Sequence, residues 1–272
     1  MKSVNPEIKD TFLRELEVNL WEVWSNFGKG KNSELHTDEN VIWFRTPLST
    51  IPYNGVLKFQ MKENIENQID DIINKCSEGG RQFIWLVTPS SEPKDLAKRL
   101  EDRGLIEIDV LPGMARELTN LPEVPEIPIG IEIQEIVGEH GKDEFIEFAT
   151  WRWSVGDENI EIYREIVAPF QLGHPESKFA VWQAWKEGIP VSKVAVYRTE
   201  KSVGVYAVAT RPEARRQGLA RLLTLYALKE MQAEGYEVAI LHSSPMAEKL
   251  YASMGFETQA NFHLFASVDT HI

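Results

Sequence analysis

The stretch from Val203 to Tyr226 constrains the fold more than any other. Val203-Gly-Val-Tyr-Ala-Val-Ala209 is a nearly continuous apolar run. Such a run fits a central strand buried on both faces rather than a half-exposed, alternating one. A polar loop follows, Thr210-Arg-Pro-Glu-Ala-Arg-Arg-Gln217. Leu219, Leu222, Leu223 and Tyr226 then recur at i, i+3, i+4 and i+7, one face of a helix. A central strand that leads into an amphipathic helix, whose apolar face must lie on a sheet, specifies an α/β fold.

The flanking pattern extends this. Ile131 to Ile136 alternates apolar and polar residues and predicts a strand, and helical spacing follows over roughly 138–149 and 157–168. Phe179–Trp185 and Val191–Tyr197 read as antiparallel strands around the turn Lys186-Glu-Gly-Ile-Pro190. Gly235 ends the long helix. Val238–Leu241 predicts a strand, Pro245–Met254 a helix stopped by Gly255, and Phe262–Val268 a last strand. The order is strand, two helices, three strands, helix, strand, helix, strand.

Before these elements, Asn120-Leu-Pro-Glu-Val-Pro-Glu-Ile-Pro128 carries three prolines in nine residues, which resists helix and sheet alike. With 272 residues, against about 100–150 for a typical domain, two domains are expected. The division is placed at 1–125 and 126–272. In the first part a helix is predicted over about 6–27, and Ile65, Ile69, Ile72, Ile73 and Cys76 mark another. The two parts also resemble each other. Residues 83–105, FIWLVTPSSEPKDLAKRLEDRGL, and 238–256, VAILHSSPMAEKLYASMGF, each give an apolar strand, a Ser-Ser pair near a proline, a short helix, then glycine and an apolar residue. A helix and a glycine precede both. Such an internal repeat suggests one fold used twice.

Charge narrows the partners. Forty-two acidic against 29 basic residues leave a net charge of −13, which repels nucleic acid phosphates and anionic lipid and suits a cationic small molecule. The single cysteine, Cys76, allows no intrachain disulfide, and the polar N-terminal stretch lacks a signal-peptide core, so a cytoplasmic location is expected. The six histidines show no HxxxH pairing and no CxxC occurs, so no metal is expected.

Within the acidic chain, Arg215, Arg216 and Arg221 concentrate positive charge where the loop meets the helix. Backbone N–H groups at a helix N-terminus lack partners and carry the positive end of the dipole, which makes them a pyrophosphate site. Gly218 and Ala220 allow close approach there. A Walker loop is excluded by the missing Gly-Lys-Ser/Thr, and a dinucleotide loop by the missing second and third glycines.

Arg215-x-x-Gly218-x-Ala220 resembles the Q/R-x-x-G-x-G/A signature of the GNAT N-acetyltransferases. The similarity takes in the strand before it, the turn at Gly235 and the ending Leu250-Tyr251-x-x-Met254-Gly255-Phe256, most of residues 130–268. The resemblance implies two GNAT-like domains, each a mixed sheet flanked by helices, and transfer of an acetyl group from acetyl-CoA to an amine of a small molecule or peptide. By position it implies Val208, Ala209 and Thr210 for the acetyl and pantetheine part. The amides of Arg216, Gln217, Gly218, Leu219, Ala220 and Arg221, with Arg215, would hold the pyrophosphate. Ser244 stands where the family often has Asn. The family's frequent general acid, a tyrosine, maps to Tyr251. Its frequent base, a glutamate on the strand before the motif, is absent: Val203–Thr210 has no carboxylate, and Tyr206 lies there instead. Asp157, Glu158 and Glu161 remain open as bases, as does water. Cys76, outside the C-terminal part, implies direct attack rather than an acetyl-cysteine.

Trp151, Trp153, Tyr163, Phe170 and Trp182 are either an acceptor pocket or core. The first part shows no equivalent loop; Tyr53–Gln60 is where it is expected, and Leu100 aligns with Tyr251. It resembles the half of a tandem GNAT protein that has lost its cofactor site. The rival expectation is a non-catalytic acyl-CoA sensor. A homodimer stays open.

Overall fold

The computed structural model describes residues 6–153 and 155–267, and the side chains among them other than those of 6–9, 139–141 and 151–153. The elements are α1 (Pro6–Ser25), β1 (Glu34–Thr37), β2 (Val41–Arg45), β3 (Gly55–Phe59), α2 (Ile65–Ser77), β4 (Ile84–Val87), α3 (Leu96–Glu101) and β5 (Ile106–Glu117). There follow β6 (Ile131–Glu135), α4 (Gly138–Trp153), α5 (Ile160–Val167), β7 (Phe179–Lys186), β8 (Ile189–Arg198), β9 (Ser202–Thr210), α6 (Leu219–Ala233), β10 (Val238–His242), α7 (Glu248–Ala252) and β11 (Glu257–Ala266). The C-terminal order is the expected one. Three differences stand out. Strands β1, β2, β3 and β5 had no sequence expectation. Helix α7 is shorter than 245–254, because Ser244–Ala247 forms a turn, with Ala247 N–H on Ser244 O at 3.0 Å. Strand β11 starts before Phe262, and Val268 lies outside the described residues.

The chain forms two compact units, and neither is a contiguous half. The first holds residues 1–19, 113–160 and 170–259, the second 20–112, 161–169 and 260–272. In the first unit the strand order is β5, β10, β9, β8, β7, β6, with β5 contributing Gly113–Glu117. Only β9 and β10 run parallel. In the second the order is β1, β2, β3, β4, β11, with β3 and β4 parallel and His263–Ala266 of β11 antiparallel to β4. Each unit therefore closes on a strand from the other side of the proline-rich segment. The division expected at 125/126 does not coincide with this packing.

In the first unit, Leu219, Leu222, Leu223 and Leu228 of α6 pack on Trp182, Ala184, Val194, Val196, Val203 and Val205. Trp182 is thus core. The second core gathers Trp43, Phe59, Ile69, Ile72, Phe83, Trp85 and Leu100 around the buried Cys76. Burial pushes the Cys76 thiol up to about 12, so it carries no nucleophilic thiolate at neutral pH. Tyr163 lies in the second unit, edge-on to Tyr53 at 5.8 Å, and Phe170 packs edge-on to Phe179 at 5.3 Å. These aromatics are packing residues. Trp151 and Trp153 have side chains outside those described.

The internal repeat is visible atom by atom. After α3, Leu105 N–H bonds to Leu100 O at 3.1 Å and Gly104 N–H to Glu101 O at 2.9 Å. After α7, Phe256 N–H bonds to Tyr251 O at 3.2 Å and Gly255 N–H to Ala252 O at 2.9 Å. Both are Schellman caps, with Gly104 at φ 83° and Gly255 at φ 88°, where a left-handed residue lets two late carbonyls be satisfied. Leu100 and Tyr251 occupy the same place in the two copies.

Candidate active site

The site lies in the first unit, at the end of β9. The parallel pairing of β9 with β10 runs from Ser202↔Val238 to Val205↔Leu241 and stops. Beyond it Tyr206–Thr210 keep only their β8 neighbours among the described residues. This is why the apolar run is not buried throughout: Ser202–Val205 are buried and Tyr206–Thr210 are half-exposed. Backbone groups on that edge face a gap with no ladder, so they can pair with a ligand lying between the strands. The opposite edge is held. Lys193 faces Ala209 and Ala195 faces Tyr206, so β9 carries one residue more than β8 between them. Ala207 takes up that bulge at φ 51°. A left-handed alanine costs on the order of 1 kcal/mol and persists only where its surroundings force it. Ser192 fixes the strand beyond the bulge, its hydroxyl 3.0 Å from Ala209 O and 2.8 Å from Thr210 Oγ1.

From Thr210 the chain makes a short 3₁₀ turn over Pro212–Ala214 and turns sharply into α6. Arg215 is extended and exposed, and its Nε donates to Thr210 O at 3.2 Å, tying loop to strand end. Arg216 at φ 61° and Gly218 at φ 78° are both left-handed. Alternation of this kind turns successive N–H groups toward one concave face, an anion nest. The first intrahelical bond is Leu222 N–H to Gly218 O, 2.9 Å, so the N–H groups of Leu219, Ala220 and Arg221 precede the ladder. A Cβ on Gly218 would meet nothing within 4 Å, so the space in front of it is open. Arg221 is anchored, its Nη1 2.8 Å from Ser253 Oγ. Arg215, Arg216, Gln217 and Gly218 are all exposed. The loop therefore fits a pyrophosphate on observed grounds: open space, unladdered amides and cationic side chains. The structure brings Val208, Ala209 and Thr210 to the strand edge that ends at this loop.

Tyr251 is buried on α7, edge-on to Phe256 at 6.1 Å, and desolvation pushes its phenol up to about 12. Ser244 is exposed in the turn after β10. Of the carboxylates left open as bases, Asp157 and Glu158 are exposed residues of the first unit, and Glu161 belongs to the second. Among the described residues no His, Cys, Asp or Glu side chains cluster as a metal site. The open groove of about 640 Å³ lined by Ser177, Arg198, Thr199, Glu234 and Tyr236 sits by the β8–β9 turn, at the other end of β9.

Sequence reasoning did not find Asn19, Gly204 and Ser202. Tyr206 Oη donates to Asn19 Oδ1 at 2.8 Å, and Asn19, fully buried, comes from α1, far away in sequence. The one local signal was Gly204 inside an otherwise branched, aromatic strand. In the second unit the position of the loop is also corrected. Tyr53–Gln60 is mostly strand β3, and the connection to α2 is the short Gln60–Asn64. Asn64, at φ 51°, stands where Gly218 stands in the first.

Comparison with known proteins agrees with this geometry. Residues 154–266 match the sequence family described as the acetyltransferase (GNAT) domain. A mycothiol acetyltransferase of Streptomyces scabiei is 26% identical over 201 residues, 67% of this chain; the chain spans 60% of that relative. Among solved structures, a GCN5-related N-acetyltransferase from Kribbella flavida superposes with a TM-score of 0.66 at 18% identity, over 94% of this chain and 96% of that one. A tandem GNAT protein from the clavulanic acid biosynthesis pathway gives 0.62 at 10% identity, over 93% and 95%. The chain has the α/β tandem GNAT fold, and residues 154–266 within it match the acetyltransferase (GNAT) domain.

Proposed function

We propose that this chain transfers an acetyl group from acetyl-CoA to a primary amine of a small molecule or peptide. One observation carries the reading. The open edge of β9 runs into a left-handed, arginine-bearing loop whose amides precede the ladder of α6. Arg215, Arg216, Gln217, Gly218, Leu219, Ala220 and Arg221 hold the pyrophosphate. Val208, Ala209 and Thr210 pair with the pantetheine arm, and Ser244 flanks it. Residues 126–272 supply this machinery. Residues 1–125, with the five-residue connection Gln60–Asn64 in place of the loop, form a half without a cofactor site.

Acetyl-CoA, when bound, supplies a thioester carbonyl carbon. A neutral amine attacks it directly: the C–N bond forms, the C–S bond breaks, and the proton lost by nitrogen ends on the CoA thiol. Tyr251 would donate a hydrogen bond to the leaving sulfur. With its phenol at about 12 against a thiol near 8.5, complete transfer of its proton would be uphill by roughly 5 kcal/mol. Tyr251 therefore stabilises the thiolate by a hydrogen bond, and solvent completes the protonation.

Gly218→Glu tests the reading, since it places bulk and negative charge in the open space at the loop. Calorimetry should show acetyl-CoA binding lost with the melting temperature held within a few degrees. Unchanged affinity removes the site. The lack of a carboxylate on Val203–Thr210 favours a second reading, an acyl-CoA sensor without catalysis. Tight acetyl-CoA binding by the wild type with no CoA release on any primary amine would establish it.

A further inference from the structure

We propose that Gln183 and Lys193, beneath α4, form the subsite that takes a carbonyl group of the acceptor, and that the acceptor is an amine of the peptide class. The inference rests on the acetyl-transfer reading above and adds to it what the amine is attached to.

An unmet amide is the first ground. Gln183 of β7 is fully buried, and neither its amide oxygen nor its amide nitrogen has a hydrogen-bond partner among the described residues. Two residues further along the strand, the buried Nε1 of Trp185 has none either. A buried amide without partners carries the whole desolvation penalty of its polar atoms, so nearly every such group in a folded chain is paired. The amide of Gln183 offers two N–H donors and one oxygen acceptor. A peptide unit, with one C=O and one N–H, answers both kinds.

The two faces of the strand pair are the second. Trp182, Ala184, Val194 and Val196 turn toward the core under α6, and all four are apolar. Alternation turns Gln183 and Lys193 to the opposite face. They are direct cross-strand partners, so their side chains start about 5 Å apart. There α4 meets an ammonium group. Lys193 Nζ lies 4.3 Å from the ring centre of Phe145 and 5.0 Å from that of Phe148. A cation beside the amide favours an electron-rich oxygen, as in a carbonyl or carboxylate, over a second cation.

Position is the third. Lys193 pairs in turn with Ala209. Gln183, Lys193 and Ala209 thus form one row across β7, β8 and β9, leading from the unmet amide to the strand that carries the opening. Two strand spacings separate β7 from β9, about 10 Å. Three extended residues span about 10 Å as well. An amine held at β9 therefore reaches Gln183 with the far carbonyl of a tripeptide. Helix α4 covers the row at Lys193, and it moves aside as the acceptor enters, trading ring contacts for the hydrogen bonds of Gln183.

The test uses the full chain with triglycine and with diaminooctane, an amine of similar reach that has no carbonyl. CoA release by the wild type should favour triglycine at least tenfold in kcat/KM. Gln183→Leu should bring triglycine down to the level of the diamine. It should leave kcat/KM for the diamine and the acetyl-CoA affinity within twofold, and raise Tm, since an unmet buried amide is removed. Gln183→Met, closer in length, is read in the same way should the leucine variant not fold. Equal use of the two amines by the wild type overturns the inference, as does a Gln183 variant that keeps the preference. A lowered Tm in both variants also overturns it, because the amide would then be satisfied inside the fold. If the wild type binds acetyl-CoA and releases CoA on no primary amine, the acetyl-transfer reading and this inference fall together. Turnover confined to amines without a carbonyl removes this inference alone.

Discussion

Burial moves two side chains of the first unit, Tyr251 and His242, in opposite directions. Tyr251, buried on α7, is pushed up to about 12 and stays protonated through the neutral range. Tyr251→Phe removes the hydrogen bond proposed for the leaving thiolate and should therefore lower kcat by roughly tenfold or more, with acetyl-CoA affinity nearly intact. No limb from Tyr251 should appear between pH 6 and 9. Wild-type turnover, with chemistry shown to limit the rate, would remove Tyr251 from the mechanism. His242, at the end of β10, is moved the other way. Its ring nitrogens are shut off from solvent, and burial pushes it down to about 3. Below pH 6.5 the unfolded chain takes up a proton that the folded chain refuses. Stability thus falls as pH falls from near 6.5 toward about 3, by up to about 1.4 kcal/mol per pH unit. Urea unfolding at pH 7.0 and 5.5 checks this: His242→Gln should flatten the difference, and an equal slope in both proteins would assign it elsewhere. The sequence singles out Tyr251 only through the resemblance of Leu250-Tyr251-x-x-Met254-Gly255-Phe256. Its burial was not legible there, because that depends on Phe256 and the sheet.

At the scale of elements, the decisive feature is where two parallel strands part. The run Val203–Ala209 announced a strand, and the bulge at Ala207 left no mark in it, since alanine does not ask for positive φ. Divergence from β10 is set by the register Val205↔Leu241 being the last pair. The two helix caps give a quantitative comparison. Gly104 and Gly255 share a left-handed φ, so alanine at either costs about 1–2 kcal/mol of backbone strain. A Cβ at 104 meets nothing within 4 Å, whereas at 255 it lies 2.8 Å from Arg116 Nη1, which donates to Met254 O. Gly255→Ala should destabilise clearly more than Gly104→Ala in denaturant unfolding. Equal losses would show that Arg116 yields freely. The repeat itself was legible because cap chemistry is local: helix, glycine and apolar residue must be neighbours in sequence to make the motif.

At the scale of the molecule, strand exchange decides what can be cut. Residues 126–272 carry β10 but not Gly113–Glu117, which pair with it, and they carry β11 but not its partner β4. Expressed alone, this half leaves β10 as an open edge, a template for aggregation. It should be insoluble or unfolded by circular dichroism, while co-expression with residues 1–125 should restore a soluble, cooperatively melting complex. A stable monomeric fragment binding acetyl-CoA would show the exchange to be dispensable.

The sequence by itself determined what depends on neighbours along the chain. It specified the α/β class, the order of the C-terminal elements, the glycine caps, and the loop in which Arg215, Gly218 and Ala220 meet the start of α6. Each is a matter of periodicity, φ preference or helix-end chemistry within a few residues. Only the tertiary structure decided what depends on partners distant in sequence. The exchange of β5 and β11 is one case, because strand pairing reads shape across the fold and not adjacency. The opening beside Tyr206–Thr210 is another, since a missing neighbour leaves no mark on the strand that lacks it. The direction of the Asn19–Tyr206 hydrogen bond is a third: it is fixed by a carbonyl of β8 and an asparagine of α1 that meet only once the chain is folded.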